Sequence, residues 1–139
     1  MRLVVDTNVL FSFFRDNPVR FIIINSKDLG LNLSTPEYAI DELIRNKSDL
    51  SKYSGLNTKE LEVAIKAVES FIKTKPAAFF RECEAEASKI SPDKKDSPFF
   101  ALALKLNADI WSNEPRLKRQ SRIRTLNSNE LLKQLRLPL

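Results

Sequence analysis

Short apolar runs alternate along this chain with helix-start signals, and that alternation constrains the fold more than any other feature. Arg2 to Val5 reads as a strand ended by Asp6, Thr7 and Asn8, residue types that favour caps and turns. Val9 to Phe14 reads as a compact apolar turn, and Pro18 suits the first turn of a helix to about Ser26. Gly30 closes the connection to a second strand at Leu31 to Leu33. Ser34, Thr35, Pro36 and Glu37 form a helix-start pattern, and that helix carries Ile40, Leu43 and Ile44 on one face and ends near Asn46. A polar segment from Lys47 to Gly55 leads to a capping-box pattern at Asn57 to Glu60, followed by the stripe Leu61, Ala64, Ile65, Val68 and Ile72. Pro76 stops this helix. Ala77 to Phe80 reads as a strand and 81–90 as a short helix. Ser97 and Pro98 open a helix from Phe99 to Leu106 that is apolar nearly all round, so it should be buried on two sides. Ala108 to Ser112 and Ile123 to Leu126 read as strands, Asn113 to Pro115 as a turn, and Ser128 caps a last helix to about Leu135. Strands alternating with helices imply an α/β layer with a mostly parallel sheet. The 139 residues suit a single domain, 1–139, with no internal repeat or linker.

What the chain lacks narrows its chemistry. It has no histidine, one cysteine (Cys83) and two glycines (Gly30 and Gly55). Histidine-based acid/base pairs, Ser-His-Asp and Cys-His nucleophile systems and His-ligated zinc are excluded. So are internal disulfides, cysteine-cluster metal sites and glycine-rich phosphate loops. No apolar stretch approaches the ~18 residues that span a bilayer. Asp6 falls where a signal peptide would be apolar, so a cytoplasmic protein with its native start is expected.

Charge is uneven. Residues 115–139 hold seven basic residues (Arg116, Lys118, Arg119, Arg122, Arg124, Lys133, Arg136) and one acid, Glu130, while the remainder is close to neutral. The net charge of +5 therefore comes from the C-terminal fifth. A basic end beside an acidic remainder suits a polyanionic partner, or is simply a solvated surface.

Acids stand where a parallel sheet builds its sites, at the carboxyl ends of strands. Asp6 ends the first strand, Glu114 follows the strand through Ile110, Trp111 and Ser112, and Asp96 precedes the apolar helix at its positive end. Converging acids repel, so removing one should leave the fold intact or more stable. A hard cation such as Mg2+ or Mn2+ neutralises them and can activate water against a phosphodiester. Each acid also has a plainer role. Asp6 could cap a turn, Asp96 could be a helix-entry charge, Glu114 could be surface, and Asp93 reads as a loop acid. Periodicity places Glu42 toward solvent and offers Asp41 as an equal candidate.

Four segments together resemble a known family. Val4-Val5-Asp6-Thr7-Asn8-Val9-Leu10 is similar to the opening motif of PIN domains. Pro36 to Leu43 resembles the second motif, in which the acid before the leucine is the functional one, which picks Glu42 over Asp41. Lys95 to Leu104 resembles the third, and Ile110-Trp111-Ser112-Asn113-Glu114 the fourth. They follow the family's order and span nearly the whole chain. The resemblance implies a three-layer sandwich, a small, mostly parallel sheet with helices on both faces. It implies a metal-dependent ribonuclease with Asp6, Glu42, Asp96 and Glu114 as catalytic acids. Of these, Asp6, Asp96 and Glu114 would bind one or two ions of Mg2+ or Mn2+. Thr7 or Asn8, and Ser112, match positions that support the acids or water. Many prokaryotic members are toxin ribonucleases paired with an antitoxin protein, and many form homodimers. RNA is the implied substrate, and Arg116, Lys118 and Arg119 are the candidate nucleic-acid contacts. The fourth motif usually carries Asp where this chain has Glu114; the longer side chain implies altered metal geometry, with activity either weaker or shifted toward Mn2+ over the stricter Mg2+.

Two other readings compete. A haloacid-dehalogenase-type phosphatase needs a second Asp two residues after the nucleophile, where this chain has Asn8. A PIN-like module could bind RNA or protein without cutting. The aromatic N-terminal region (Phe11, Phe13, Phe14, Phe21, Ile22, Ile23, Ile24) is either core or a dimer or antitoxin surface.

Overall fold

A computed structural model describes residues 1–137. The chain starts in the middle of its sheet. Strand β1 (Arg2–Val5) has Leu3, Val4 and Val5 wholly buried, the continuous apolar run of a central parallel strand. Helix α1 (Thr7–Ser12) follows at once, because the Asp6 carboxylate accepts a hydrogen bond from the Thr7 backbone N–H at 2.8 Å. The expected compact turn is therefore helical. Helix α2 (Pro18–Ile24) starts on the Asn17 cap.

Strand β2 (Asn32–Pro36) runs three residues past the expected end. Ser34 and Thr35 belong to it rather than to a helix cap. Thr35 is fully buried, and its hydroxyl donates to the Val5 carbonyl at 2.8 Å, so a side chain that suits a cap serves the sheet instead. Helix α3 (Glu37–Arg45) begins after Pro36 without a side-chain cap. The polar segment beyond it is also helical, α4 (Lys47–Ser54). Leu50 is its one buried residue, so no apolar stripe marked it; Gly55, at φ 76°, ends it in the left-handed conformation. Helix α5 (Thr58–Phe71) has the expected capping box.

Strand β3 (Lys73–Lys75) precedes Pro76, and the expected strand at Ala77 to Phe80 is helix α6 (Ala77–Phe80). Lys-Thr-Lys carries no apolar signal because it is an edge strand, where lysines discourage pairing with other chains. A 3-10 turn (Arg81–Cys83) leads into α7 (Glu84–Ile90). A second (Lys94–Asp96) leads into α8 (Ser97–Leu106), whose residues from Phe99 to Ala103 are all buried. This helix packs on β1, β2, α6 and α7, the two-sided burial expected of it. Strand β4 (Asp109–Trp111), a 3-10 turn (Pro115–Arg119), strand β5 (Thr125–Leu126) and α9 (Ser128–Gln134) complete the order.

Among the described residues the sheet has five parallel strands, in the order β3-β2-β1-β4-β5, with helices flanking it: the three-layer α/β sandwich expected. The chain winds outward through β2 and β3, then returns to place β4 on the other side of β1. The carboxyl ends of β1 and β4 thus flank a topological switch point, where such sheets open a crevice. Most of the aromatic N-terminal region is core, with Phe13, Phe14, Ile22 and Ile23 buried, while Phe21 and Ile24 stay 53% and 45% exposed. Among the described residues, no helix is long and apolar enough to cross a membrane.

Candidate active site

Asp6 leaves β1 at the switch point and is buried. One carboxylate oxygen accepts from the Thr7 N–H; the other accepts from the Ser112 hydroxyl at 2.6 Å. Ser112 follows β4, whose partner strand holds its backbone, the Ser112 N–H donating to the Leu126 carbonyl at 2.9 Å. Burial pushes the Asp6 carboxyl above its ordinary value, opposed by the Ser112 and Thr7 hydrogen bonds; neighbouring Asp96 raises it further and Arg116 lowers it. Desolvation wins over two hydrogen bonds, so Asp6 is a carboxylate held at an energetic disadvantage in the metal-free protein.

Asp96 is the residue before α8 and is 3% exposed. Its carboxylate does not cap its own helix. Both oxygens instead accept from Arg116, from Nη2 at 2.9 Å and from Nε at 3.1 Å. The third nitrogen of that fork, Nη1, donates to Glu114 Oε2 at 2.8 Å. Asp96 pushes the Arg116 pKa up from a value already high, so the guanidinium stays charged. Glu114 lies two residues beyond Ser112, and its N–H donates to the Ser112 hydroxyl at 3.1 Å.

Glu42 is half-buried on α3 and accepts a 2.6 Å hydrogen bond from the Thr7 hydroxyl, whereas Asp41 is exposed. Helical periodicity placed Glu42 outside because it counts faces against the sheet; α1 covers that flank of α3 and turns it into a site wall. If Glu42 rather than Asp41 serves the site, Glu42→Gln lowers metal-dependent cleavage by about tenfold or more, the range for losing a supporting hydrogen-bonding group, and Asp41→Asn leaves it within about twofold. Equal small effects in a cleavage assay would show that the second motif was misassigned.

These residues meet in one pocket of about 150 Å3, lined by Asp6, Thr7, Asn8, Glu42, Lys95, Asp96, Phe99, Glu114 and Arg116. All four candidate acids line it. Asn8 donates to the Ser112 hydroxyl at a long 3.5 Å and accepts from the Asn113 N–H at 3.4 Å, bridging α1 to the end of β4. Lys95 and Phe99, not singled out as site residues from sequence, also line the pocket; both sit within the third motif.

The basic end is distributed differently from the expected patch. Arg116 lies inside the acid cluster. Lys118 pairs with Glu130 at 2.7 Å and donates to the Thr125 carbonyl; Arg122 pairs with Glu86 and Arg124 with Asp109. Arg119 is exposed and makes no ion pair among the described residues. Asp93 caps the turn before Asp96 by accepting from the Lys95 N–H, a structural role.

The donors suit a hard divalent cation, since the pocket offers carboxylate, hydroxyl and amide oxygens and neither imidazole nor thiolate. With the side chains as they stand, no three acids among the described residues converge on one point. Arg116 pairs with two of the four candidate acids, Asp96 and Glu114.

No curated protein matches the chain. Among solved structures, that of VapBC2 from Rickettsia felis bound to a DNA fragment from their promoter is similar, with 16% identity, a TM-score of 0.62, and coverage of 91% of this chain and 98% of that one. At that identity the likeness speaks for the fold. A family model described as PIN domain matches residues 4–131, a span that runs from the strand before Asp6 to the helix beyond Glu114 and takes in all four acids. The chain belongs to the PIN-domain family.

Proposed function

We propose that residues 1–139 form a single nuclease domain that hydrolyses RNA phosphodiester bonds with a divalent cation, Mg2+ or Mn2+. The observation that carries this reading is Asp6: a buried carboxylate raised by desolvation, fixed by two hydrogen bonds, beside Asp96 in a pocket that Glu42 and Glu114 also line. An enzyme keeps a charge in so unfavourable a place when a cation or a substrate gains from it. Asp6, Asp96 and Glu114 would hold the ion, which supplies Lewis-acid polarisation of the phosphodiester and a more acidic bound water. Ser112 and the Thr7 N–H fix the Asp6 carboxylate in one orientation. Thr7 likewise fixes Glu42, the acid left over to position water or accept its proton. Phe99 gives the pocket an apolar wall that limits water on that side.

The family's prokaryotic toxins supply the wider reading: a cytoplasmic toxin ribonuclease held by an antitoxin protein, with a homodimer as its working form. The exposed Phe21 and Ile24 on α2 are the candidate protein-contact residues. A second reading, a catalytically weak PIN-like module that binds RNA or protein, is favoured by Arg116, which occupies two of the acids. Cleavage of structured and unstructured RNA with Mg2+, with Mn2+ and with chelator separates the two. Metal-dependent cutting that Asp6→Asn removes supports the nuclease; RNA binding without cutting under any metal supports the module.

Lys118 and Arg119 are proposed to contact the RNA backbone. Lys118 must open a half-exposed ion pair to do so, and such pairs hold by less than about 1 kcal/mol. Replacing both with Ala should weaken binding and flatten the log–log salt dependence on single-stranded RNA by about 1.4 units, two phosphates' worth. The single-turnover rate at saturating RNA should stay within about twofold, as expected of contacts that position rather than react. An unchanged salt slope would remove both residues from the interface.

A further inference from the structure

Arg116 stands in the pocket wall with its side chain 26% exposed, and its guanidinium makes three charge-assisted hydrogen bonds to two acids of the cluster. Asp96, with a side chain only 4% exposed, gives both oxygens to it. Such forked pairs are among the stronger hydrogen-bonded contacts in proteins. We propose that Arg116 is a built-in counter-ion that competes with the divalent cation for Asp96 and Glu114, so that loading the site requires its guanidinium to leave. This rests on the metal-dependent reading above.

Three physical arguments support it. First, an unpaired carboxylate as buried as Asp96 is strongly destabilising, and Arg116 removes that penalty when no ion is present. Second, a guanidinium and a dication cannot share the same carboxylate oxygens within a few ångströms, because like charges at that range repel. Third, Arg116 cannot yield by losing its proton, so it must move. It has somewhere to go. It sits on the short 3-10 turn Pro115–Arg119, whose neighbours Pro115, Lys118 and Arg119 are exposed, and a swing outward brings it to solvent. There a phosphate would offer it the bidentate partner it gave up. Ion and polyanion would then assist each other's binding, since each favours the same outward position of one side chain. This gives Arg116 two successive partners, which reconciles its position among the acids with a part in holding nucleic acid.

The test measures Mn2+ binding directly, by the spin-resonance signal of free Mn2+, on the full chain without nucleic acid. Arg116→Ala and Arg116→Met should bind Mn2+ about tenfold tighter or more than the wild type, equivalent to about 1.4 kcal/mol. Arg116→Lys keeps the charge but loses the fork, so it should fall between them; it also serves if the neutral variants fold poorly. Without metal, Arg116→Ala should melt lower than the wild type, and saturating Mn2+ should raise its melting temperature by more. If all of these proteins bind Mn2+ with equal affinity, or the neutral variants bind it more weakly, Arg116 is not a competitor, while the metal-dependent reading stands. If neither the wild type nor any variant binds Mn2+, both ideas fall together.

Discussion

Asp6→Asn and Asp96→Asn should both abolish metal-dependent cleavage while moving the stability of the metal-free protein in opposite directions. Loss of a hydrogen bond that merely supports a metal ligand lowers activity by about 10–100-fold, so loss of a ligand should exceed about 100-fold in each variant. Stability is where they part. Asp6 is a desolvated carboxylate whose pKa lies above its ordinary value of 3.8. Folding therefore favours its protonated form, and the neutral amide of Asn removes a charge the fold holds at a disadvantage. The metal-free Asp6→Asn protein should melt higher at neutral pH. The sign fixes the pH dependence. Below the ordinary carboxylate value Asp6 is protonated folded and unfolded, and the two proteins should be alike on this account. As pH rises through the raised folded value the wild type loses stability relative to the variant, and above it the gap is constant.

Asp96→Asn should do the reverse. Mutual repulsion among the acids predicts stabilisation here too, but Arg116 alters the sum. Asn keeps one acceptor oxygen and surrenders the charge, leaving a half-buried guanidinium with Glu114 as its remaining carboxylate. Hydrogen bonds to charged groups hold by about 1.5–3 kcal/mol, so the metal-free variant should melt about 5–10 °C lower. Scanning calorimetry with chelator, alongside an RNA cleavage assay, checks both. Full cleavage by either variant would remove that acid from the chemistry; equal shifts of melting temperature in the same direction would mean that Arg116 contributes nothing to the balance at Asp96.

The difference between these two acids also marks what sequence could and could not reveal. Position along the chain put Asp6 and Glu114 at strand ends and Asp96 at a helix entrance, because strand and helix termini leave local signatures in caps, prolines and apolar runs. The central strands β1 and β4 and the buried helix α8 were legible for the same reason: burial on both sides forces continuous apolar runs. Elements without a buried stripe were not legible. Helix α4 anchors itself by Leu50 alone, and β3 is Lys-Thr-Lys on an edge. Thr35 misled because a hydroxyl suits equally a helix cap and a buried bond across strands. The place of Glu42 in the pocket wall was anticipated by the motif and not by periodicity, since a helix covered by another helix has two inward faces. Arg116 was the hardest. Its charge was counted with the C-terminal basic residues it precedes in sequence, whereas its partner Asp96 lies twenty residues earlier, and no local rule connects the two.

Glu114 carries the last large expected effect. Its carboxylate sits one methylene further from the backbone than Asp would place it, and at that reach it meets Arg116 Nη1 at 2.8 Å while its own N–H rests on the Ser112 hydroxyl that also holds Asp6. The backbone at 114 is thus tied to the Asp6 side of the site, and the length of the side chain alone sets where the oxygens fall. Glu114→Asp retracts them by about one C–C bond, roughly 1.5 Å. A shift of about 1 Å in a positioned group can cost on the order of 100-fold. Cleavage should therefore fall by about 10–100-fold, more with Mg2+, whose octahedral geometry is strict, than with Mn2+. Glu114→Gln keeps the length and loses the charge; a neutral amide is a poorer ligand for a hard dication, so activity should fall at least as far with either metal. Titrating each metal against wild type and both variants, with RNA saturating, reads the two effects separately. A gain of activity in Glu114→Asp with Mg2+ would mean that the site tolerates Glu rather than being fitted to it. Equal cutting by all three proteins would reduce Glu114 to a partner for Arg116 and leave the ion to Asp6 and Asp96.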